Sequence, residues 1–65
     1  MNQQIKTPVV PEEGDYQVRH ENGTIFDNFP AADDAEVKAI AAADKISGAS
    51  VWRFNGTGKD WQRVL

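Results

Sequence analysis

The residues that could do chemistry are few and lie far apart in the chain. His20 stands beside Glu21, and such a pair serves acid–base catalysis when a pocket and a nucleophile lie next to it. No serine motif that would supply the nucleophile accompanies this pair, so we interpret His20 as a surface histidine. The acidic pairs Glu12–Glu13 and Asp33–Asp34 lack the ligand spacing of a calcium loop. The sequence therefore predicts a protein that is not an enzyme and that uses no metal and no cofactor.

The segment Asn55–Lys59 has two glycines, a threonine and a lysine in an order similar to a phosphate-binding loop. Phosphate-binding loops lead from a strand into a helix, whose N-terminus holds the anion. Here the residues on both sides of the segment have the composition of strands. We therefore predict an ordinary hairpin loop at this position.

Aromatic and basic residues alternate near the C-terminal end of the chain: Trp52, Arg53, Phe54, Lys59, Trp61 and Arg63. On an open sheet face, aromatic rings stack nucleobases while Arg and Lys hold phosphates. Trp and Arg are also enriched at the energetic centres of protein interfaces. A small domain needs large side chains for its core, so we expect Trp52 and Phe54 to face the helix. The position of Trp61 is left open.

Residues 15–29 predict a first β-hairpin, because Tyr16 and Val18 alternate with polar neighbours and Asn22–Gly23 is a strong turn signal. A two-residue turn pairs Tyr16 with Phe29, Val18 with Asp27 and His20 with Ile25. It buries Tyr16, Val18, Ile25 and Phe29 and exposes Phe26. A three-residue turn with a glycine bulge shifts the register by one and buries Phe26 instead. We prefer the two-residue turn because it buries more apolar side chains.

A helix is predicted from about Asp33 to Ser47. Asp33 suits the N-cap with Glu36 as its capping-box partner, and Gly48 suits the position that ends the helix. One broad apolar face is expected, made of Ala35, Ala39, Ile40, Ala42, Ala43 and Ile46. Ile40→Ala is accordingly expected to reduce stability.

A second hairpin, residues 49–65, completes the order ββαββ. This order predicts an α+β fold with two layers, a four-stranded sheet carrying one helix on one face. The order is similar to the β-grasp layout of the immunoglobulin-binding domains of bacterial surface proteins, in which the terminal strands run parallel in the centre. A meander, with the hairpins joined at their edges, is the alternative.

Composition limits the classes of function. The 65 residues suffice for one small domain, which we place at residues 14–65. It follows a flexible tail at 1–13, which contains two prolines and ends with a pair of glutamates. No cysteine is present, no apolar run is long enough to span a bilayer, and the N-terminus does not resemble a secretory signal. These features favour a cytoplasmic protein.

The net charge of −3 is unevenly distributed, since residues 12–36 hold eight acidic residues against Arg19 alone. Such a stretch opposes general attraction to nucleic acid or to anionic lipid. We therefore expect a small acidic interaction module, an adaptor or an inhibitor of a larger protein, of the kind common among bacterial and bacteriophage accessory proteins. The partner would bind the open sheet face at Arg19, Phe26, Arg53, Trp61 and Arg63. Binding of single-stranded nucleic acid by the second hairpin is the alternative, and no membrane interaction is expected.

Overall fold

A four-stranded sheet with one helix packed against it is built by the residues that the computed structural model describes, 11–56 and 61–65. The strands are β1 (Tyr16–Arg19), β2 (Ile25–Phe29), β3 (Ser50–Phe54) and β4 (Trp61–Arg63), and the helix is α1 (Ala35–Ala43). The predicted α+β class and the ββαββ order are confirmed. Residues 1–10 of the predicted tail lie outside the described residues, and so do residues 57–60 of the glycine loop.

The strands lie in the order β2-β1-β3-β4, and every neighbouring pair is antiparallel. The two hairpins are therefore joined at their edges, through β1 and β3. This arrangement differs from the β-grasp layout, because β4 lies at an edge and pairs only with β3. Backbone bonds extend the central pairing beyond β1: the Gly14 N–H donates to the Phe54 carbonyl at 3.0 Å, and the Phe54 N–H donates to the Asp15 carbonyl at 2.9 Å.

The first hairpin combines features of both predicted registers. Tyr16 pairs with Phe29 and Val18 with Asp27, as the preferred register requires, but Arg19 pairs with Ile25 across a bulge. The predicted two-residue turn is wrong: the Gly23 N–H donates to the His20 carbonyl at 2.9 Å, and the His20 N–H donates to the Thr24 carbonyl at 2.8 Å. Gly23 has φ 93°, as a glycine bulge requires.

Two irregularities in this hairpin cancel each other. The glycine bulge shifts the register by one residue, and the second bulge, at the unpaired Phe26, shifts it back. Ile25 consequently does not reach the core and is 55% exposed, contrary to the sequence prediction. Phe26 is exposed, as the preferred register predicted.

The core lies between α1 and one side of β1 and β3. Its buried apolar side chains are Tyr16, Val18, Ala35, Ala39, Ala43 and Val51, with Phe29, Ala42 and Ala49 packed against them. Val18 pairs directly with Val51 across the two central strands. The prediction that Trp52 and Phe54 face the helix is wrong, because alternation along β3 places them on the side opposite to Val51.

The helix is shorter than predicted at both ends, and its N-cap lies one residue later. Asp34 rather than Asp33 is the N-cap, and its side chain makes no capping hydrogen bond, so the predicted capping box does not form. Glu36 instead accepts a hydrogen bond from the Tyr16 hydroxyl at 3.1 Å. Ile40 is 37% exposed and contributes little to the core, contrary to the prediction.

The chain leaves α1 through tightened turns before it reaches β3. The Lys45 N–H donates to the Ala42 carbonyl and the Ile46 N–H to the Ala43 carbonyl. Gly48 ends these turns with φ 79°, and the Glu21 side chain fills the space into which a Cβ at this position would project. In the described part of the chain, no helix combines the length and apolar character needed to cross a membrane.

Candidate functional site

The side of the sheet that faces away from α1 carries a group of aromatic and arginine side chains. β1 supplies Arg19, because Arg19 alternates with the fully buried Val18. Cross-strand pairing then places the remaining members on the same side, since Gln17 pairs with Trp52, Trp52 with Arg63, and Phe54 with Trp61. We name this group the open-face cluster; its members are Arg19, Trp52, Phe54, Trp61 and Arg63.

Arg19 is the most constrained member of the open-face cluster. Its guanidinium carbon lies 4.2 Å from the centre of the Trp52 ring and 6.0 Å from that of Trp61, within the range of cation–π attraction. Its Nε donates a hydrogen bond of 2.7 Å to Gln17 Oε1. Gln17 is only 5% exposed, and its Nε2 donates to Asn28 Oδ1 at 3.0 Å. Groups on three strands therefore hold one guanidinium in place.

The aromatic rings are also fixed by specific contacts. Trp52 Nε1 donates to Ser50 Oγ at 2.7 Å, so its polar atom is already satisfied within the sheet. The rings of Phe54 and Trp61 meet at 5.2 Å between centroids with an interplanar angle of 59°. All three rings are half-buried, although no helix of the described chain covers this side. The surface therefore offers apolar area in a defined orientation.

The charge of this side is opposite to that of the whole chain. The strand residues that face away from α1 include Arg19 and Arg63 but no carboxylate. Within residues 11–56 and 61–65, one ion pair is present, between Lys38 and Asp34 on the helix at 3.4 Å. A cationic, aromatic sheet face thus forms on a chain with a net charge of −3.

Three of the five residues predicted to bind a partner come together: Arg19, Trp61 and Arg63. Arg53 does not join them, which corrects the predicted location. It pairs with Tyr16 on the side of the sheet that carries the helix, and its Nη1 donates to Asn55 Oδ1 at 2.9 Å. The physical reason is that Val51, and not Trp52, fits under the helix, which reverses the predicted facing of β3.

Phe26 lies apart from the open-face cluster. It is 47% exposed at the bulge of β2, where its ring meets the His20 ring edge-on at 5.4 Å. Sequence reasoning missed Trp52 and Phe54 as members of the site. Their alternation was visible in the sequence, and the signal that could have placed them was the β-branched Val51 directly before Trp52, which suits a close-packed core beside Val18.

The acidic and histidine side chains are the candidate metal ligands within residues 11–56 and 61–65. Among these residues, no three His, Asp or Glu side chains lie together as metal ligands would. The His20 ring packs edge-on against the Phe26 ring, and the Glu21 side chain fills the space into which a Cβ at residue 48 would project.

Comparisons with known proteins were made at three levels. No protein-family model matches the chain, and neither the curated proteins nor the solved structures gave a match. The geometry of the open-face cluster is therefore the basis for assigning a function.

Proposed function

We propose that this chain is a non-enzymatic interaction module that binds a larger protein through its open-face cluster. One observation carries the proposal: a sheet face without a covering helix in the described chain holds three half-buried rings and two arginines in fixed positions. Trp and Arg contribute most to binding when they are ordered before the partner arrives. An adaptor or an inhibitor would use such a surface without any cofactor.

Single-stranded nucleic acid is the second candidate ligand, and one observation favours it. The absence of carboxylates from the strand positions on this face leaves the two arginines free to meet phosphates. Protein binding is favoured nonetheless, because the guanidinium of Arg19 already covers one face of the Trp52 ring. A base could stack on that face of the Trp52 ring only by displacing the guanidinium.

A cytoplasmic location and a bacterial or bacteriophage origin stay predictions from the sequence.

Partner capture with matched variants tests the proposal. The tagged full chain and its Trp61→Ala, Arg63→Ala and Arg53→Gln variants are incubated with a lysate of the organism that encodes the sequence. A stoichiometric partner should be retained by the wild type and by Arg53→Gln, whose side chain lies on the other side of the sheet. It should be lost or strongly reduced with the two cluster variants. Equal recovery on all four chains would contradict the proposed surface.

The nucleic-acid candidate is tested by tryptophan fluorescence. Oligothymidylate is added at about 50 mM salt, where electrostatic binding to nucleic acid is strong. We expect no saturable quenching. Quenching that weakens with salt and disappears in Trp61→Ala would replace the first candidate with the second.

A further inference from the structure

The guanidinium of Arg19 is held in one orientation by its contacts with Gln17 and Trp52. Its Nε is held by Gln17, and its plane lies over the Trp52 ring. Among the described residues, neither Nη1 nor Nη2 donates a hydrogen bond or joins an ion pair. A planar guanidinium with one edge fixed presents a donor pair that matches the two oxygens of a carboxylate.

We propose that Arg19 binds an aspartate or glutamate carboxylate of the partner protein as a bidentate pair. The inference rests on the proposed function and adds the chemistry by which the partner is recognised. The partner segment would place its acidic side chain between the rings of Trp52 and Trp61. Arg63, which pairs with Trp52 across the sheet, adds attraction to the same negative charge.

The charge distribution favours a protein carboxylate over the phosphates of a nucleic acid. Tracking a phosphate backbone requires several cations along a groove, and the described strand positions on this face supply two. The rest of the chain repels a long polyanion, because its ten acidic residues outnumber its seven basic ones. A short acidic segment meets only the cationic face.

Gln17 and Trp52 are positioning residues in this scheme. The buried amide of Gln17 receives the Arg19 Nε–H and is itself anchored to Asn28, so the guanidinium cannot rotate freely. Trp52 fixes the plane and is anchored to Ser50. Because this order exists in the free protein, binding a carboxylate loses little side-chain entropy.

The test uses nitrogen-15 NMR of the full chain, which resolves arginine Nε–H groups. A blocked hexaglutamate peptide is titrated at neutral pH and low salt, with hexathymidylate as the phosphate probe. We expect a saturable shift of the Arg19 Nε–H signal with hexaglutamate and weaker binding of hexathymidylate. No shift with hexaglutamate, or tighter binding of hexathymidylate, would overturn the carboxylate assignment.

Arginine-to-lysine variants separate fork geometry from charge. Arg19→Lys keeps the charge but loses the fork, and we expect about a tenfold loss of hexaglutamate affinity. Arg53→Lys is the matched control, with less than about a threefold loss expected, because Arg53 pairs with Tyr16 on the other side of the sheet. Equal losses in both variants would show that the fork of Arg19 has no special role and would overturn the inference. Amide spectra of each variant verify the fold.

Failure of the carboxylate inference can be distinguished from failure of the proposed function. If Trp61→Ala loses its captured partner while hexaglutamate leaves the Arg19 signal unmoved, the interaction surface is supported and the carboxylate inference is wrong. If the partner is recovered equally on all variants, the proposed function itself is wrong.

Discussion

Tyr16 shows how one side chain serves both layers of the fold. It is buried at the base of the sheet, and its hydroxyl donates to the Glu36 carboxylate on α1. Burial raises the pKa of the Tyr16 phenol above its ordinary 10.0, and the hydrogen bond to Glu36 raises the pKa further, with a smaller opposing effect from Arg53. The folded state therefore favours the neutral phenol.

Because the pKa of Tyr16 is raised in the folded state, the free energy of unfolding varies with pH in the alkaline range. Above the ordinary pKa the unfolded chain releases the Tyr16 proton while the folded chain retains it, so the free energy of unfolding falls as the pH rises. Urea unfolding from about pH 8 to about pH 11, spanning the ordinary range of tyrosine, should show this fall. Tyr16→Phe should reduce it while costing about 1 kcal/mol at neutral pH through the lost hydrogen bond. Identical pH profiles for both chains would contradict the assignment.

The helix is an element whose small residues set its distance from the sheet. Ala35, Ala39 and Ala43 recur every four residues on the buried side of α1. Alanine has a high helix propensity and a small side chain, so the helix forms readily and approaches the sheet closely. Val18 and Val51 are the large side chains that lie fully buried in the space below it.

Overpacking this contact tests the close approach. Ala39→Leu inserts a large side chain at a fully buried position and should lower the free energy of unfolding by about 1–3 kcal/mol. Ala41→Leu makes the same chemical change on the exposed side of the helix, where it should alter stability by less than about 0.5 kcal/mol. Chemical denaturation of both variants measures the difference. Similar values would mean that α1 does not pack closely.

The whole molecule has a small core for its length. Among the described residues, the fully buried large side chains are two valines, and three of the six aromatic residues, both tryptophans included, lie on the open face. Chains below about 70 residues seldom derive more than about 3–5 kcal/mol of stability from a single core. We therefore expect a low margin of stability and a strong response to the loss of either valine.

Val51→Ala tests this expectation at the scale of the molecule. Removing two buried methyl groups should cost about 2 kcal/mol, a large share of the total, and lower the Tm markedly. Ile40→Ala, at a residue 37% exposed, should cost less than about 1 kcal/mol, which replaces the larger effect that the helical pattern predicted. Thermal melts of the two variants show which of the two residues contributes more to the core. A greater loss with Ile40→Ala would show that the core lies elsewhere.

Local sequence signals are enough to predict the order of elements and the alternation within each strand. These signals are local: the spacing of apolar residues, the glycines at 23 and 48, and the alanine-rich segment. Each of them acts through backbone geometry or helix propensity. The same local signals put Trp52 with Phe54 and Trp61 with Arg63 on common strand faces. Two members of the predicted partner-binding set, Trp61 and Arg63, share a strand face for this local reason.

Only the tertiary structure decided which face of each strand is buried and which strands are neighbours. A period of two separates the two sides of β3 but does not say which side meets the helix, and that choice depends on the Val18–Val51 contact across strands distant in sequence. The compensating bulge at Phe26 is likewise a product of pairing with β1. The stacking of Arg19 on Trp52 follows from the same long-range register, because residues so far apart meet only when the hairpins join.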